Sequence, residues 1–425
     1  MEKKHILRHI LAVGVLLWCL LLCGCRREAL DTLVQTTSYP VSIEVKLPPV
    51  DAAASVRVQD KSVLFNDLNM GKQYAVAPDS IIWTDSVLLV QTTQPVGFYD
   101  VEISVTLLID GAENLFRSYL KSFCLAEPQT VTAEATIVKM ERTFVLAEIF
   151  TPGTQTPEGK TYVGDRYFVI YNNSGMTLYA DGLVLLESKL KNTQKYTLEP
   201  DFRSESFAAD AIYRIPGDGT QYPVQAGGSL LIVDNAMDHR EANKNSFDLS
   251  DADFEWYDQS TNASVTDIDN PDVPNLDKIF CYSLTIWIPN SQGNTSFALA
   301  RFPDSLSTEN YLMQYKFHYD YTNVTSAGTF KMSADTYLVP NEWIIDAVSL
   351  CPRSAYQWTA VAPELDGGYT YVGELGSDKT RYGKSVRRKT LYTEGTRRIL
   401  QDTNNSTYDF LPAQTADPHY FANQE

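Results

Sequence analysis

From Tyr99 to Ile109 the chain alternates. Tyr99, Val101, Ile103, Val105, Leu107 and Ile109 share one parity, and Asp100, Glu102, Ser104 and Thr106 lie on the other. Successive side chains of a strand point to opposite faces, so an apolar set of period two dictates a strand with one face buried and one wet. A helix would scatter the same residues around its circumference. Asp110-Gly111 follows, the residue pair that accepts the positive φ angles of a two-residue hairpin. The pattern recurs. Val41, Ile43, Val45 and Leu47 alternate with Ser42, Glu44 and Lys46 until Pro48-Pro49, and Val131, Ala133, Ala135 and Ile137 form a third run. No helical period occurs between residues 39 and 141, and residues 40–141 are expected to form a small antiparallel β-sandwich.

Beyond residue 142 the strands read differently. In GDRYFVIYNNSGMTLYADGLVLL (Gly164 to Leu186), Tyr167, Val169 and Tyr171 alternate with Phe168 and Ile170, so both faces are apolar and the strand is expected at the centre of a sheet. Asn172-Asn173-Ser174-Gly175 reads as a tight turn. Met176 then opens a return strand, and Asp181-Gly182 turns into Leu183–Leu186, a meander. With about 400 residues after the N-terminal segment, two cores are expected. The fold class is all-β, two β-sandwich domains, with any helices confined to insertions.

The N-terminus addresses the chain to the cell envelope. Basic residues Lys3, Lys4 and Arg8 precede a 13-residue apolar run from Ile10 to Leu22. That is a secretory signal layout, too short for a spanning helix of about 20 residues. Leu22-Cys23-Gly24-Cys25 resembles a bacterial lipobox. The resemblance implies a lipoprotein signal peptide over 1–24, lipidation at Cys25 and a tether over 25–39, whose polar residues reach roughly 45 Å if extended.

Without Glu2, Lys3, Lys4 and Arg8 the chain holds 32 basic and 52 acidic residues, net −20. Such a surface repels nucleic acid, and no nucleic-acid partner is expected. Besides Cys25, the processed chain has Cys124, Cys281 and Cys351, an odd number with no zinc spacing, room for one bridge at most. His239, His318 and His419 are far apart. No nucleophile elbow, P-loop or HExxH occurs, so no catalytic residue is assigned.

The charge is uneven. Asp234 to Asp277 holds 12 acidic residues against Arg240 and Lys244, net −10 in 44 residues, together with Phe254, Trp256 and Tyr257. An acidic loop with aromatics suits a cationic ligand, a sugar or calcium. Asp267, Asp269, Asp272, Asp277, Trp256 and Tyr257 are the candidate binding residues. Calcium is the one candidate cofactor, although Pro271 breaks the EF-hand pattern. A solvated loop is the plainer reading. Carboxylates crowded in this way repel one another, and besides a bound cation the one other offset is the basic run from Lys379 to Arg398, net +6 over residues 378–398, folding back on the insertion as a clamp.

Resemblances extend this reading. VGFYDVEISV resembles a late strand of transthyretin-like modules. LAEIF (Leu146 to Phe150), YFVIYNNSGMTLYADGLVL, YRIPGDGTQYPVQAGGSLLIVDN, TSFALARF, WIIDAVSL, GKSVRRK and STYDFLPAQTADP follow in the order of a lamin-tail (Ig-like) domain. They imply a lamin-tail-like sandwich over 142–425 with the acidic insertion at 234–278, a fold used in that family for binding or display. Val169 stands where that family carries a glutamate. EIFTPGTQTPEGKTYVGDRYF, DNAMDHR, FDLSDADFEWYD and DIDNPDVPNLDK resemble the Bacteroidota lipoproteins of domain-of-unknown-function family 4876. This implies a lipid-anchored outer-membrane protein, with a TonB-dependent transporter or another outer-membrane protein as partner. The expected function is a non-enzymatic accessory binding protein. A purely structural or adhesive surface protein and a hydrolase with an unrecognised site are the alternatives.

Overall fold

The structure, a computed structural model, describes residues 37–48, 54–68, 72–84, 87–138, 143–325 and 328–422. The expected signal peptide, Cys25 and the tether as far as residue 36 lie outside the described residues. Among the described residues no helix is long and apolar enough to cross a membrane. The chain divides into two compact units between Val138 and Lys139.

The first unit is a sandwich of two sheets. One holds Ile81–Thr84, Val87–Pro95, Ser38–Lys46 and Gln129–Glu134 in that order; the other holds Gln73–Ala75, Val56–Asp67, Gly97–Ile109, Ala112–Leu125 and Thr136–Val138. The alternating residues meet between them: Val41, Ile43 and Val45 from one sheet, Tyr99, Val101, Ile103, Val105 and Leu107 from the other, all buried. Asp110 and Gly111 have φ angles of 51° and 85° and make the expected hairpin turn. Three details differ from expectation. The tether ends one residue before Ser38, where the first strand begins. That strand pairs antiparallel with Val87–Pro95 but parallel with Gln129–Glu134, so the sandwich is mixed. The run from Val131 to Ile137 is two strands. At Ala135, whose N–H donates to Lys46 O at 2.8 Å, the chain crosses between sheets. The apolar period survives the crossing because both inner faces line one core.

The second unit is a larger sandwich. Its six-stranded sheet runs Phe254–Glu255, Ser229–Val233, Tyr167–Asn172, Phe144–Phe150, Lys384–Arg388, Phe410–Thr415. The facing sheet runs Thr197–Glu199, Lys316–Thr325, Gly328–Pro340, Ser206–Arg214, Leu183–Lys191, Thr295–Arg301, Ile344–Ser349, with Asp277–Cys281 also on Ser206–Arg214. Phe168, Ile170, Leu185, Tyr213, Phe297 and Leu299 fill the space between. Tyr167–Asn172 is central and wholly buried, as expected. Its outer residues Tyr167, Val169 and Tyr171 are covered by Ala236, Leu249, Ala252 and Val273 of the acidic insertion and by Phe421. This explains why both parities are apolar.

The expected meander is not formed. Leu183–Lys191 lies in the opposite sheet, and between the two strands Leu178–Tyr179 pairs with Pro223–Val224. Asn172 and Asn173 serve here as side-chain hubs. Asn172 Nδ2 donates to Met176 O and Val224 O, both at 2.8 Å. Asn173 Nδ2 donates to Leu400 O and its Oδ1 accepts from Leu400 N. An asparagine amide satisfies backbone groups of a connection just as it shapes a turn, and the sequence pattern is the same for both uses. The α-helix Thr308–Gln314 lies outside the acidic insertion, capped by Ser307 Oγ, which accepts from Asn310 N at 3.2 Å.

Cys124, Cys281 and Cys351 are all free thiols. Cys124 is exposed, whereas burial pushes Cys281 up and Cys351 up to about 12. Among the described cysteines, a thiolate-directed reagent is therefore expected to modify Cys124 alone in the folded protein and all three after unfolding. Mass spectrometry of the adducts reads this directly.

Candidate functional site

The acidic insertion is the region where chemistry was expected. It is a belt stitched to the sandwich. Phe254–Glu255 joins Ser229–Val233 as a parallel strand, placing Phe254 beside Ile232 and Glu255 beside Val233. Asp238 caps the turn His239–Glu241, accepting from Arg240 N at 3.0 Å. The edge residue Leu231 is held by Asp253 at both ends: its N–H donates to Asp253 Oδ2 at 2.7 Å and its C=O accepts from Asp253 N at 2.9 Å.

Backbone donors supply the offset to the crowded charge. Asp267 accepts from Asp258 N at 2.8 Å, Ile268 N at 3.0 Å and Asn235 Nδ2 at 3.1 Å. Glu255 accepts from Ala236 N at 2.9 Å and Asn270 N at 2.6 Å. Asp258 accepts from Trp287 N at 2.6 Å and Tyr213 Oη at 2.7 Å, and pairs with Lys278 at 2.9 Å. A buried carboxylate is tolerated when N–H donors point at it. Burial still raises Asp253, Glu255 and Asp267.

The candidate residues therefore separate. Asp267 is inside this network. Asp269 accepts from Asn275 Nδ2 at 2.9 Å, Asp277 pairs with Arg214 at 3.1 Å, and Asp272 is exposed. Among the described residues no three His, Cys, Asp or Glu side chains converge as a metal site. Trp256 is corrected from a ligand platform to a core residue. It is fully buried, 5.1 Å from Trp287 and 5.6 Å from Phe168 between ring centroids. Tyr257 is half-buried. The basic clamp is also corrected. Arg387 turns inward to Glu148 at 2.7 Å and Arg388 to Asp346 at 2.6 Å, so neither guanidinium reaches the insertion. Buried carboxylates of the second unit demand those cations more strongly than a half-solvated belt does.

Two of the segments quoted for the family resemblance, EIFTPGTQTPEGKTYVGDRYF and DNAMDHR, meet around one polar cluster. Arg166 donates to Thr151 O and Val163 O, each at 2.9 Å, and pairs with Asp234 at 3.2 Å. Burial pushes Asp234 up to about 7 against the pull of Arg166. Asp165 Oδ2 accepts from Thr154 Oγ1 and from Ser246 Oγ, and Asn243 Nδ2 donates to Thr154 Oγ1 at 2.7 Å. His239 Nε2 lies 2.9 Å from Asn235 O, and its Nδ1 lies 2.8 Å from Tyr162 Oη. A carbonyl only accepts, so Nε2 carries the proton, and in the neutral ring Nδ1 accepts from the Tyr162 hydroxyl. Serine, histidine and aspartate lie close together here, but in the wrong order for a relay. The hydroxyls donate to the carboxylate, and both imidazole nitrogens are engaged elsewhere. The cluster joins residues 151–166 to 234–246.

Sequence reasoning missed the buried ion pairs of Glu148, Asp346, Arg387 and Arg388, and the buried Glu187. Each acid had one available signal, a lone charge inside an apolar strand: LAEIF, LVLLES and WIIDAV. Glu187 accepts from Trp287 Nε1 at 2.8 Å, Asn290 N at 3.0 Å and Thr295 Oγ1 at 2.9 Å. Burial pushes it up to about 7. These bonds fix the loop Cys281–Asn290, whose Tyr282, Leu284 and Ile288 side chains point to solvent, Leu284 at 79% exposure.

Residues 225–417 match the family model described as a protein of unknown function, DUF4876. The chain is similar to the crystal structure of a DUF4876 family protein from Bacteroides thetaiotaomicron, with a TM-score of 0.54 and 21% identity, covering 90% of this chain and 97% of that one. No curated protein matches.

Proposed function

We propose that this chain is a non-enzymatic accessory binding protein of the outer membrane, lipid-anchored through Cys25 and engaging an outer-membrane protein such as a TonB-dependent transporter. The observation that carries the binding role is the loop Cys281–Asn290. Its backbone is fixed by Glu187, by Asp258 and by Thr261, whose Oγ1 donates to Leu284 O at 2.8 Å, and Trp287 is buried beneath it. A free loop would fold its apolar side chains inward. This one holds Tyr282, Leu284 and Ile288 outward on a rigid frame, a preorganised apolar patch of the kind used in protein recognition. The lamin-tail-like resemblance supports the same role, because in that family the fold binds or displays. The lipobox-like Leu22-Cys23-Gly24-Cys25 supports the anchor.

A photo-crosslinking amino acid at Leu284 is the test. In cells carrying the otherwise natural chain, a discrete adduct with one outer-membrane protein is expected. It should be lost on Cys25→Ser, which removes the anchor, and absent when the crosslinker is placed at exposed Asp272. A smear of adducts equal at the two positions overturns the reading.

A further inference from the structure

Among the described residues of the first unit five large apolar side chains are exposed: Val56 lies beside Ile109 at the Asp110-Gly111 end, Ile82 lies on the strand Ile81–Thr84, and the other three gather at the opposite end. Leu68, Val96 and Phe98 are 46%, 46% and 48% exposed. Leu68 N donates to Phe98 O at 2.9 Å, so these two are neighbours, and Phe98 is paired across strands with Cys124, also exposed. On the same strands Phe65, Tyr99 and Val101 point into the core. Alternation therefore places Leu68, Phe98 and Cys124 in one row across three strands on the outer face. Two residues along, the row becomes polar at Asn66 and Asp100. Val96 N donates to Thr37 O at 2.8 Å, and Ser38 pairs with Pro95. The apolar row thus lies at the end where the tether arrives. The chain leaves the unit towards the other end, where Val138 pairs with Leu115, close to the Asp110-Gly111 turn.

We infer that this end of the first unit seats Leu68, Val96 and Phe98 in the lipid–water interface of the membrane that holds the Cys25 anchor. The inference rests on the lipid anchor proposed above. Eleven residues lie between Cys25 and Thr37, a covalent reach of at most about 43 Å, so the anchor keeps this end close to the bilayer. Each apolar side chain that enters the interface leaves water, which adds a second attachment to the acyl chains. Leu68, Val96 and Phe98 carry no charge, so the contact they make is apolar and is expected to persist in high salt, whatever Arg26 and Arg27 beside the anchor add at low salt.

The test uses the full acylated protein in phosphatidylethanolamine–phosphatidylglycerol vesicles, with a polarity-sensitive fluorophore on Cys124. Cys281 and Cys351 are buried and stay unlabelled. A blue shift of emission and quenching by lipids nitroxide-labelled near the headgroup are expected, both persisting in high salt. The double variant Leu68→Glu, Phe98→Glu should lose both signals while keeping its acyl chains and its melting temperature. Phe98→Tyr, which suits an interface, should keep them. Water-like, unquenched emission from protein whose Cys25 is acylated by mass overturns this inference and leaves the anchor standing. Absence of acyl chains on Cys25 overturns both. Signals that arise only when a second envelope protein is added assign the row to that protein and overturn the membrane contact.

Discussion

Replacing Arg388 by methionine is expected to destabilise the second unit by about 3–5 kcal/mol near neutral pH, the cost of leaving buried charge without its partner. Arg388 is almost fully buried and is the cation among three carboxylates. It pairs with Asp346 at 2.6 Å, Asp402 at 3.1 Å and Asp409 at 3.8 Å, and donates to Leu146 O and Gln401 O. Burial raises both Asp346 and Asp409, and the Arg388 charge opposes that rise. Without it they climb further. A carboxyl whose folded pKa lies above its unfolded value binds its proton more tightly in the folded chain, so stability grows as pH falls from above the folded pKa towards the unfolded one. The variant should therefore be weakest at about pH 8 and recover part of the loss at about pH 5. Denaturant midpoints at the two pH values read both effects. A loss under about 1 kcal/mol, the range of exposed ion pairs, or one that deepens on acidification, would show that Arg388 is not the counter-ion of this cluster.

The same cluster marks where reading the sequence stops. The strand Gly97–Ile109 and its Asp110-Gly111 turn were legible because both the period and the turn chemistry are local. The central place of Tyr167–Asn172 was legible because two apolar faces require cover on both sides. Glu148 was missed although it is the only charge in LAEIF, and its partner Arg387 is 239 positions away, so no local rule joins them. Asn172 and Asn173 misled because the same side chains bend the chain locally, Asn172 Oδ1 accepting from Ser174 N at 3.0 Å, and tie down distant strands, so the bend closes no hairpin.

The acidic insertion shows a different limit. Counting side chains finds twelve acids and two bases and leads to a search for cations, either a metal or the Lys379–Arg398 run. Side-chain composition is blind to backbone amides. Asp253, Glu255, Asp258 and Asp267 each accept from at least one of them, and Asp258 also has Lys278. Asp267, chosen as a candidate cation ligand, lies inside the belt and accepts from three N–H donors. Asp269, Asp272 and Asp277, chosen for the same reason, lie exposed at its rim. Which acid becomes central depends on the path of the chain from Asn235 to Asn275.

Trp256 carries the sharpest consequence of that path. Trp256→Ala is expected to cost about 3–5 kcal/mol, as for other large aromatic deletions from a core. Its ring meets Trp287 and Phe168, and Phe168 stacks on Trp287 at 6.0 Å with an interplanar angle of 8°. Loss of the indole opens a cavity at the centre of the aromatic cluster, where rigid neighbours collapse poorly. Trp256→Phe should behave differently. The Trp256 indole N–H is buried and meets no acceptor among the described residues, and an unsatisfied buried donor costs about 1–3 kcal/mol. Phenylalanine removes that donor while keeping most of the ring, so the lost packing and the removed penalty offset each other and the variant should stay within about 1.5 kcal/mol of the natural chain, the range of shape-conserving core swaps. The contrast separates core from ligand platform. Were Trp256 a platform for ligand stacking, alanine would leave the denaturation midpoint unchanged, whereas a core residue gives a large loss with alanine and a small one with phenylalanine.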